Sequence, residues 1–333
     1  VKVSPSKPIA SVSLDLDNQW TYLKVHGEPN WNEYSTYLPI VVPRVLEFLR
    51  DRDLTITFFV VGQDARFEVN HAPLRALADA GHEIGNHSLN HEPWLHLYSE
   101  EQVEAELGEA EDLIHQATGQ RPIGFRGPGF SVSKTVLRVL KRRGYLYDAS
   151  TFPTFLGPLA RAYYFMTANL SPQEREERKL LFGTFSEGLR PLKPYLWDLE
   201  GSDFLEIPVT TMPVVKVPIH ASYLLYLAGY SPALMDLYWN LALGMCRLAG
   251  VQISLLLHPL DFLGCDDTQA LSFFPAMRIP SEKKLDWMNR IVTRLLKSYR
   301  VTPMREHAEA LLAEGRLHRR TPQFREAPAG FQS

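Results

Sequence analysis

Short β-rich runs alternate with helical ones along this 333-residue chain. That alternation predicts an α/β fold, a parallel sheet with helices packed outside it, open or closed into a barrel. Two further observations agree. Acidic, basic and imidazole side chains collect at the C-terminal ends of the strand-like runs, where such sheets build their sites. Glycines stand where the helical periodicity stops, as in a left-handed cap.

The first strand is expected at 9–17, where Val12, Leu14 and Leu16 alternate with Ser13, Asp15 and Asp17; a period of two gives the two sets opposite faces. A helix at 40–50, a strand at 54–61, a helix at 73–80 closed by Gly81, and a strand at 82–86 follow. The helix at 100–117 opens on Ser99-Glu100-Glu101-Gln102, a capping box in which the serine hydroxyl satisfies an early amide and the glutamine reaches back; Gly119 ends it. Strands at 123–126 and 146–149 flank a helix at 134–142 closed by Gly144. Segment 154–203 is long, proline-punctuated and partly charged, so it reads as an insertion into one domain spanning 1–333. A strand at 205–209, a helix at 232–248, an apolar strand at 251–258, a helix at 282–298 and a strand at 301–304 complete the pattern. A basic tail from about 316, with its charges in 316–325, reads as a solvated terminus.

Hydrophobic residues make up 45% and charged residues 22%, a balance that excludes a mainly disordered chain. Thirty-five basic against 38 acidic residues give a net charge of −3, which argues against nucleic acid or a strongly anionic membrane as the partner. Cys246 and Cys265 cannot form a disulfide framework. The first residues lack the apolar core of a signal peptide, so a cytoplasmic location is expected. Residues 217–235 carry no formal charge, yet Pro218, Gly229 and Pro232 interrupt them; they read as buried structure under a covering loop, with a lipid-facing surface as the alternative.

Asp15 and Asp17 are i and i+2 on one strand face, about 6.5–7 Å apart, close enough for one carboxylate to hold a metal while the other works on its water. His87 and His91 are spaced by four, which on a helical turn puts both rings on one side; Pro93 keeps that turn short and in a loop after the strand. His82–His87 and His91–His96 are each spaced by five and are not the HExxH helix of zinc proteases. Arg126 precedes the rigid turn Gly127-Pro128-Gly129, Asp148 closes its strand, and His258 gives the apolar run Leu255-Leu256-Leu257 an abrupt polar finish. Any one of these is commoner as ordinary structure. Six at strand ends point to one site.

On these residues the chain resembles the polysaccharide deacetylases of the NodB-homology type, carbohydrate esterase family four. His87-Ser88-Leu89-Asn90-His91 is similar to that family's H-[S/T]-x-x-H motif, Arg126-Gly127-Pro128 to its R-x-P, and Leu256-Leu257-His258 to its closing L-x-H. Asp15-Leu16-Asp17 departs from the family's adjacent aspartates and resembles a subgroup that includes deformylases and deacetylases of lipid-linked sugars. Asp148-Ala149-Ser150 lacks the usual second Asp and Trp and resembles the Tyr-Asp-x-Ser variant of deacetylases from exopolysaccharide gene clusters.

The resemblance implies a distorted, incomplete (β/α) barrel of seven or eight parallel strands. It implies that Asp17, His87 and His91 hold a divalent metal, zinc first, with Co, Fe and Mn as alternatives. Asp15 would then act as general base on the metal-activated water, Arg126 would orient Asp15, and His258, held by Asp148, would protonate the leaving amine. Trp20, Trp31 and Trp94 follow the first two motifs and are expected to stack on sugar rings, against the alternative of core burial. The implied partner is an acetylated glycan, lipid-linked in one version, with 154–203 and 217–235 roofing the site and making a peripheral membrane contact. Two other readings share these residues: an amidase of the same fold acting on a small ureide or cyclic amide, and a catalytically inactive glycan-binding module. A two-His-one-carboxylate iron oxygenase is opposed by the βα alternation.

Overall fold

The structure is a computed structural model and describes residues 7–157 and 185–324. Its centre is β1 (Ile9–Leu16), with β2 (Thr57–Val60), β3 (Glu83–Asn86), β4 (Gly124–Phe125) and β5 (Tyr147–Asp148) laid down in order on one side. Beyond β5 come β7 (Ser202–Glu206), β6 (Tyr195–Leu199) and β10 (Arg319–Arg320); on the other side of β1 lies β8 (Ile253–Leu257), and β9 (Arg300–Thr302) also pairs with β1. Every pairing is parallel except β6 with β7. The two ends of this sheet do not pair with each other, so the barrel is distorted and incomplete.

The helices α1 (Gln19–His26), α2 (Leu38–Arg50), α3 (Glu68–Asp79), α4 (Glu100–Thr118) and α5 (Lys134–Arg142) follow the first four strands. After β7 come α6 (Ala221–Tyr230), α7 (Pro232–Ala249), α8 (Ser281–Ser298) and α9 (Met304–Glu314). The capping box at Ser99 and Gln102 forms, and Gly119 takes the left-handed cap. Among the described residues no helix is long and apolar enough to cross a membrane.

All eight expected strands form, most of them shorter than the sequence runs. Two more were not foreseen. β6 falls inside the segment read as an insertion and turns back into β7 through Glu200 and Gly201, both at positive φ (59° and 90°), the geometry that two-residue hairpins favour. Residues 158–184 of that segment lie outside the described residues. β10 comes from the basic tail: Arg319 binds Asp203 and its strand adds to β6, so residues 319–320 are tied to the sheet edge while their side chains stay exposed. Arg325 lies outside the described residues, as does the N-terminal stretch 1–6. Residues 217–235, expected as buried structure plus a loop, run from a short loop into α6 and the start of α7, with Ile219, Ala221, Leu224, Leu225, Ala228 and Met235 buried.

The strict alternation in β1 places the site. Leu14 and Leu16 pack into the main core with Val41, Val42 and Val45 of α2. Ser13, Asp15 and Asp17 face the other way, yet they too are nearly inaccessible, because that face is the barrel interior. β1 has strands on both sides and is buried on both faces, as parallel sheets require.

Candidate active site

A cavity of about 250 Å³ opens at the C-terminal end of β1 and is lined by Asp15, Asp17, His87, His91 and His258. Tyr22, Val25, Trp94, Phe130 and Phe274 form its apolar walls. Asp17 follows β1 directly. Its Oδ1 lies 3.3 Å from His87 Nε2 and 3.0 Å from His91 Nε2. One ligand atom from each of these three residues falls within 4.8 Å of the others, and all three side chains are buried.

The donor set fits a divalent cation. Asp17 Oδ1 is buried and accepts no hydrogen bond, which is costly unless a positive centre faces it. His87 Nδ1 sits 2.6 Å from the Arg126 carbonyl oxygen, which can only accept, so the ring N–H is there and the Nε2 lone pair points to Asp17. Two imidazoles and a carboxylate suit zinc and the later first-row metals. Burial by itself would raise the Asp17 carboxyl; the His91 and His87 rings in their protonated form, whose protons a bound cation would displace, outweigh it and hold the group below the usual carboxylate range. Burial would likewise lower His87; Asp15 and Asp17 reverse this and raise it.

The loop carrying the two histidines is not the helical turn that the four-residue spacing suggested. Ser88 and His91 both take left-handed backbone conformations (φ 63° and 53°), and the rings still converge, with centroids 5.1 Å apart. Side chains stand in for helical hydrogen bonds. Asn86 Oδ1 accepts from Ser88 N at 2.8 Å, and Ser88 Oγ accepts from His91 N at 3.2 Å. Glu106 of α4 accepts from Leu89 N, Asn90 N and Asn90 Nδ2 at 3.1, 2.7 and 2.9 Å. Glu106 was missed in the sequence, although it interrupts the apolar stripe of Val103, Leu107, Ala110 and Ile114 on a core-facing helix. Glu106→Ala strands one buried and one half-buried amide and is expected to cost about 2–3 kcal/mol of stability. It should also weaken metal binding by about tenfold or more through loop loosening. Urea unfolding and a metal competition titration check this; two unchanged values would contradict it.

Arg126 follows β4, is fully buried, and reaches back across the barrel. Its Nη1 donates to Asp15 Oδ1 at 2.6 Å and to Ser13 Oγ at 2.8 Å, and its Nε donates to the Ala149 carbonyl at 3.0 Å. The Phe59 ring lies under the guanidinium, 4.4 Å from its carbon. Gly127 is required beside it: a Cβ there would sit 2.0 Å from the Ser131 carbonyl oxygen.

Asp148 is not paired with His258, contrary to expectation. It lies at the end of β5, fully buried and away from the cavity wall, and accepts from Ser150 Oγ at 2.5 Å. Ser150 Oγ in turn accepts from Gly127 N at 2.8 Å, so this segment props the Arg126 turn. Burial raises the Asp148 carboxyl, and burial followed by the neighbouring Asp148 raises that of Glu206. His258 finds other partners: its Nδ1 lies 3.0 Å from Ser222 Oγ, and its backbone N–H donates to Asp261 Oδ2 at 2.8 Å. The sequence held no sign of Ser222, 36 residues away from His258.

The three tryptophans divide. Trp20 is in the core and donates its Nε1–H to Asp64 at 2.8 Å, so it cannot meet a sugar. Trp31 packs on Trp20 and Tyr34, under Lys24. Trp94 alone lines the cavity.

The family described as polysaccharide deacetylase matches residues 31–147, a span that holds His87, His91 and Arg126 and leaves out Asp15, Asp17, Asp148 and His258. A peptidoglycan deacetylase-like protein of Gibberella zeae is 29% identical over 163 residues, 47% of this chain and 46% of that one. A peptidoglycan-N-acetylglucosamine deacetylase of Bacillus cereus is 32% identical over 113 residues, covering 32% of this chain and 48% of its own. The chain thus spans about half or less of these relatives' length. In fold, a Mycobacterium smegmatis protein solved as a candidate polysaccharide deacetylase superposes with a TM-score of 0.63 at 20% identity, over 98% of this chain and 97% of that one. Residues 31–147 thus carry a polysaccharide deacetylase family domain, of the NodB-homology, carbohydrate esterase family four type, and the shared fold extends over nearly the whole chain.

Proposed function

We propose that this chain hydrolyses the N-acetyl group of an amino sugar in a polysaccharide or lipid-linked glycan, releasing acetate, with a divalent metal held by Asp17, His87 and His91. The observation that carries the reading is the convergence of a metal-ligand triad, a second carboxylate and a histidine on one apolar-walled cavity. A cation bound there would polarise the amide carbonyl and make water acidic enough to attack at neutral pH.

The chain's own residues do the rest. Asp15, held by the fully buried Arg126, takes a proton from the attacking water as general base. The water oxygen adds to the carbonyl carbon. When the C–N bond breaks, its electron pair goes to nitrogen, and His258 supplies the proton that lets the amine leave; an amide anion is too poor a leaving group without it. Trp94 and the other apolar walls offer flat surface for a sugar ring and keep bulk water out.

A lipid-carried acceptor is supported by the outer face of α7, where Leu234, Leu237, Leu241 and Leu248 are exposed, next to Tyr226 and Tyr230 of α6. α6 also supplies the residue that meets His258, so that apolar face and the site share an element. The test is acetate release, by protein loaded with zinc, from N-acetylglucosamine oligomers, from a lipid-linked N-acetylated glycan and, as control, ring opening of allantoin. Acetate from the glycans, faster from the lipid-linked one, is expected. Allantoin turnover without acetate release would favour the ureide amidase, and no turnover at all would favour an inactive binding module.

A further inference from the structure

His258 needs something to aim its ring, and the structure supplies it from two places the motifs do not cover. Ser222 is the second residue of α6, and its Oγ lies 3.0 Å from His258 Nδ1. The Asp261 carboxylate lies near the same hydroxyl. Asp261 sits three residues after His258, is 2% exposed, and accepts the His258 backbone N–H through Oδ2 at 2.8 Å.

Burial raises the Asp261 carboxyl, so the direction of these contacts holds while that group is ionised: the carboxylate then only accepts, Ser222 turns its one hydrogen to Asp261, and a lone pair faces the ring. His258 Nδ1 must then be the N–H, which leaves Nε2 to carry the working proton. His220 stands beside this ring, centroids 6.2 Å apart; burial and then His258 itself push His220 down to about 3, so this neighbour stays uncharged and does not compete.

We infer that Ser222 and Asp261 are positioning residues for His258, a hydroxyl relay that fixes its tautomer and aims Nε2 during proton delivery to the leaving nitrogen. The inference rests on the hydrolase reading proposed above. In that step the C–N bond of the tetrahedral adduct breaks, its electron pair and the Nε2 proton both go to nitrogen, and His258 ends neutral with its Nδ1–H still on Ser222. The role that the family resemblance gave to Asp148 is thus filled from α6 and from the turn after β8.

Leaving-group dependence tests this. Zinc-loaded wild type and variants are assayed on N-acetylglucosamine oligomers, an amide whose amine must be protonated, and on 4-nitrophenyl acetate, whose phenolate leaves without a proton. Ser222→Ala is expected to lower kcat on the amide by about 10- to 100-fold with KM unchanged, a part of what a positioned general acid supplies. The ester rate should fall far less, and zinc content by elemental analysis should match wild type. Ser222→Thr keeps the hydroxyl and should recover most of the amide rate. If Ser222→Ala does not accumulate as folded protein, Ser222→Cys, nearer in volume and a weak donor, takes its place with the same expected pattern. A variant with wild-type amide turnover, or one that loses amide and ester rates equally, overturns the relay. A wild type that cleaves neither substrate removes the hydrolase reading itself, and the relay with it.

Discussion

Asp15→Asn is expected to abolish acetate release while leaving the metal in place. The substitution keeps the size of the side chain and an oxygen for Arg126 to bind, 2.6 Å away in the wild type, but removes the group that can take a proton. Loss of a positioned general base is worth about 10²–10⁴-fold in kcat. Metal content should not change, because Asp15 is outside the ligand triad. Steady-state acetate release measured beside elemental analysis decides it. Full activity would end the base assignment, and loss of metal together with activity would make Asp15 a ligand.

His87→Ala is expected to remove both metal and activity. It deletes one of three donors and the bond from Nδ1 to the Arg126 carbonyl, which ties the ligand loop to the turn that holds Asp15. Because even outer-shell changes commonly weaken metal sites by 10- to 100-fold, loss of a ligand should weaken binding by at least about 100-fold. The pair of variants therefore separates chemistry from metal binding: one loses turnover with metal retained, the other loses both. Stoichiometric zinc in His87→Ala would contradict the ligand assignment.

These residues were legible in the sequence because β-strand alternation and strand-end placement are local signals. Ser13, Asp15 and Asp17 could only share a face, and that face became the barrel interior. The convergence of His87 and His91 was also legible, though its cause was not: side chains from Asn86, Ser88 and Glu106 shape the loop, and an acid in the apolar stripe of a distant helix does not say which loop it holds. Asp148 and His258 show the same limit. Both end strands, but β5 and β8 lie on opposite sides of β1, and only the assembled sheet reveals that Asp148 turns to Ser150 and Glu206 while His258 meets Ser222. β6 and β10 were hidden for another reason. A two-residue strand such as Arg319–Arg320 has too few positions to display a pattern, and it forms because β6 offers it an edge.

The central claim is that a single divalent cation is gripped by one carboxylate after β1 and two imidazoles from the loop after β3. Anomalous diffraction from crystals grown with zinc tests it most directly. The account predicts one strong peak bonded by Asp17, His87 and His91, with Asp15 alongside and not ligated. A map with no peak among those three side chains at saturating zinc, or with the ion held by other residues, would contradict it.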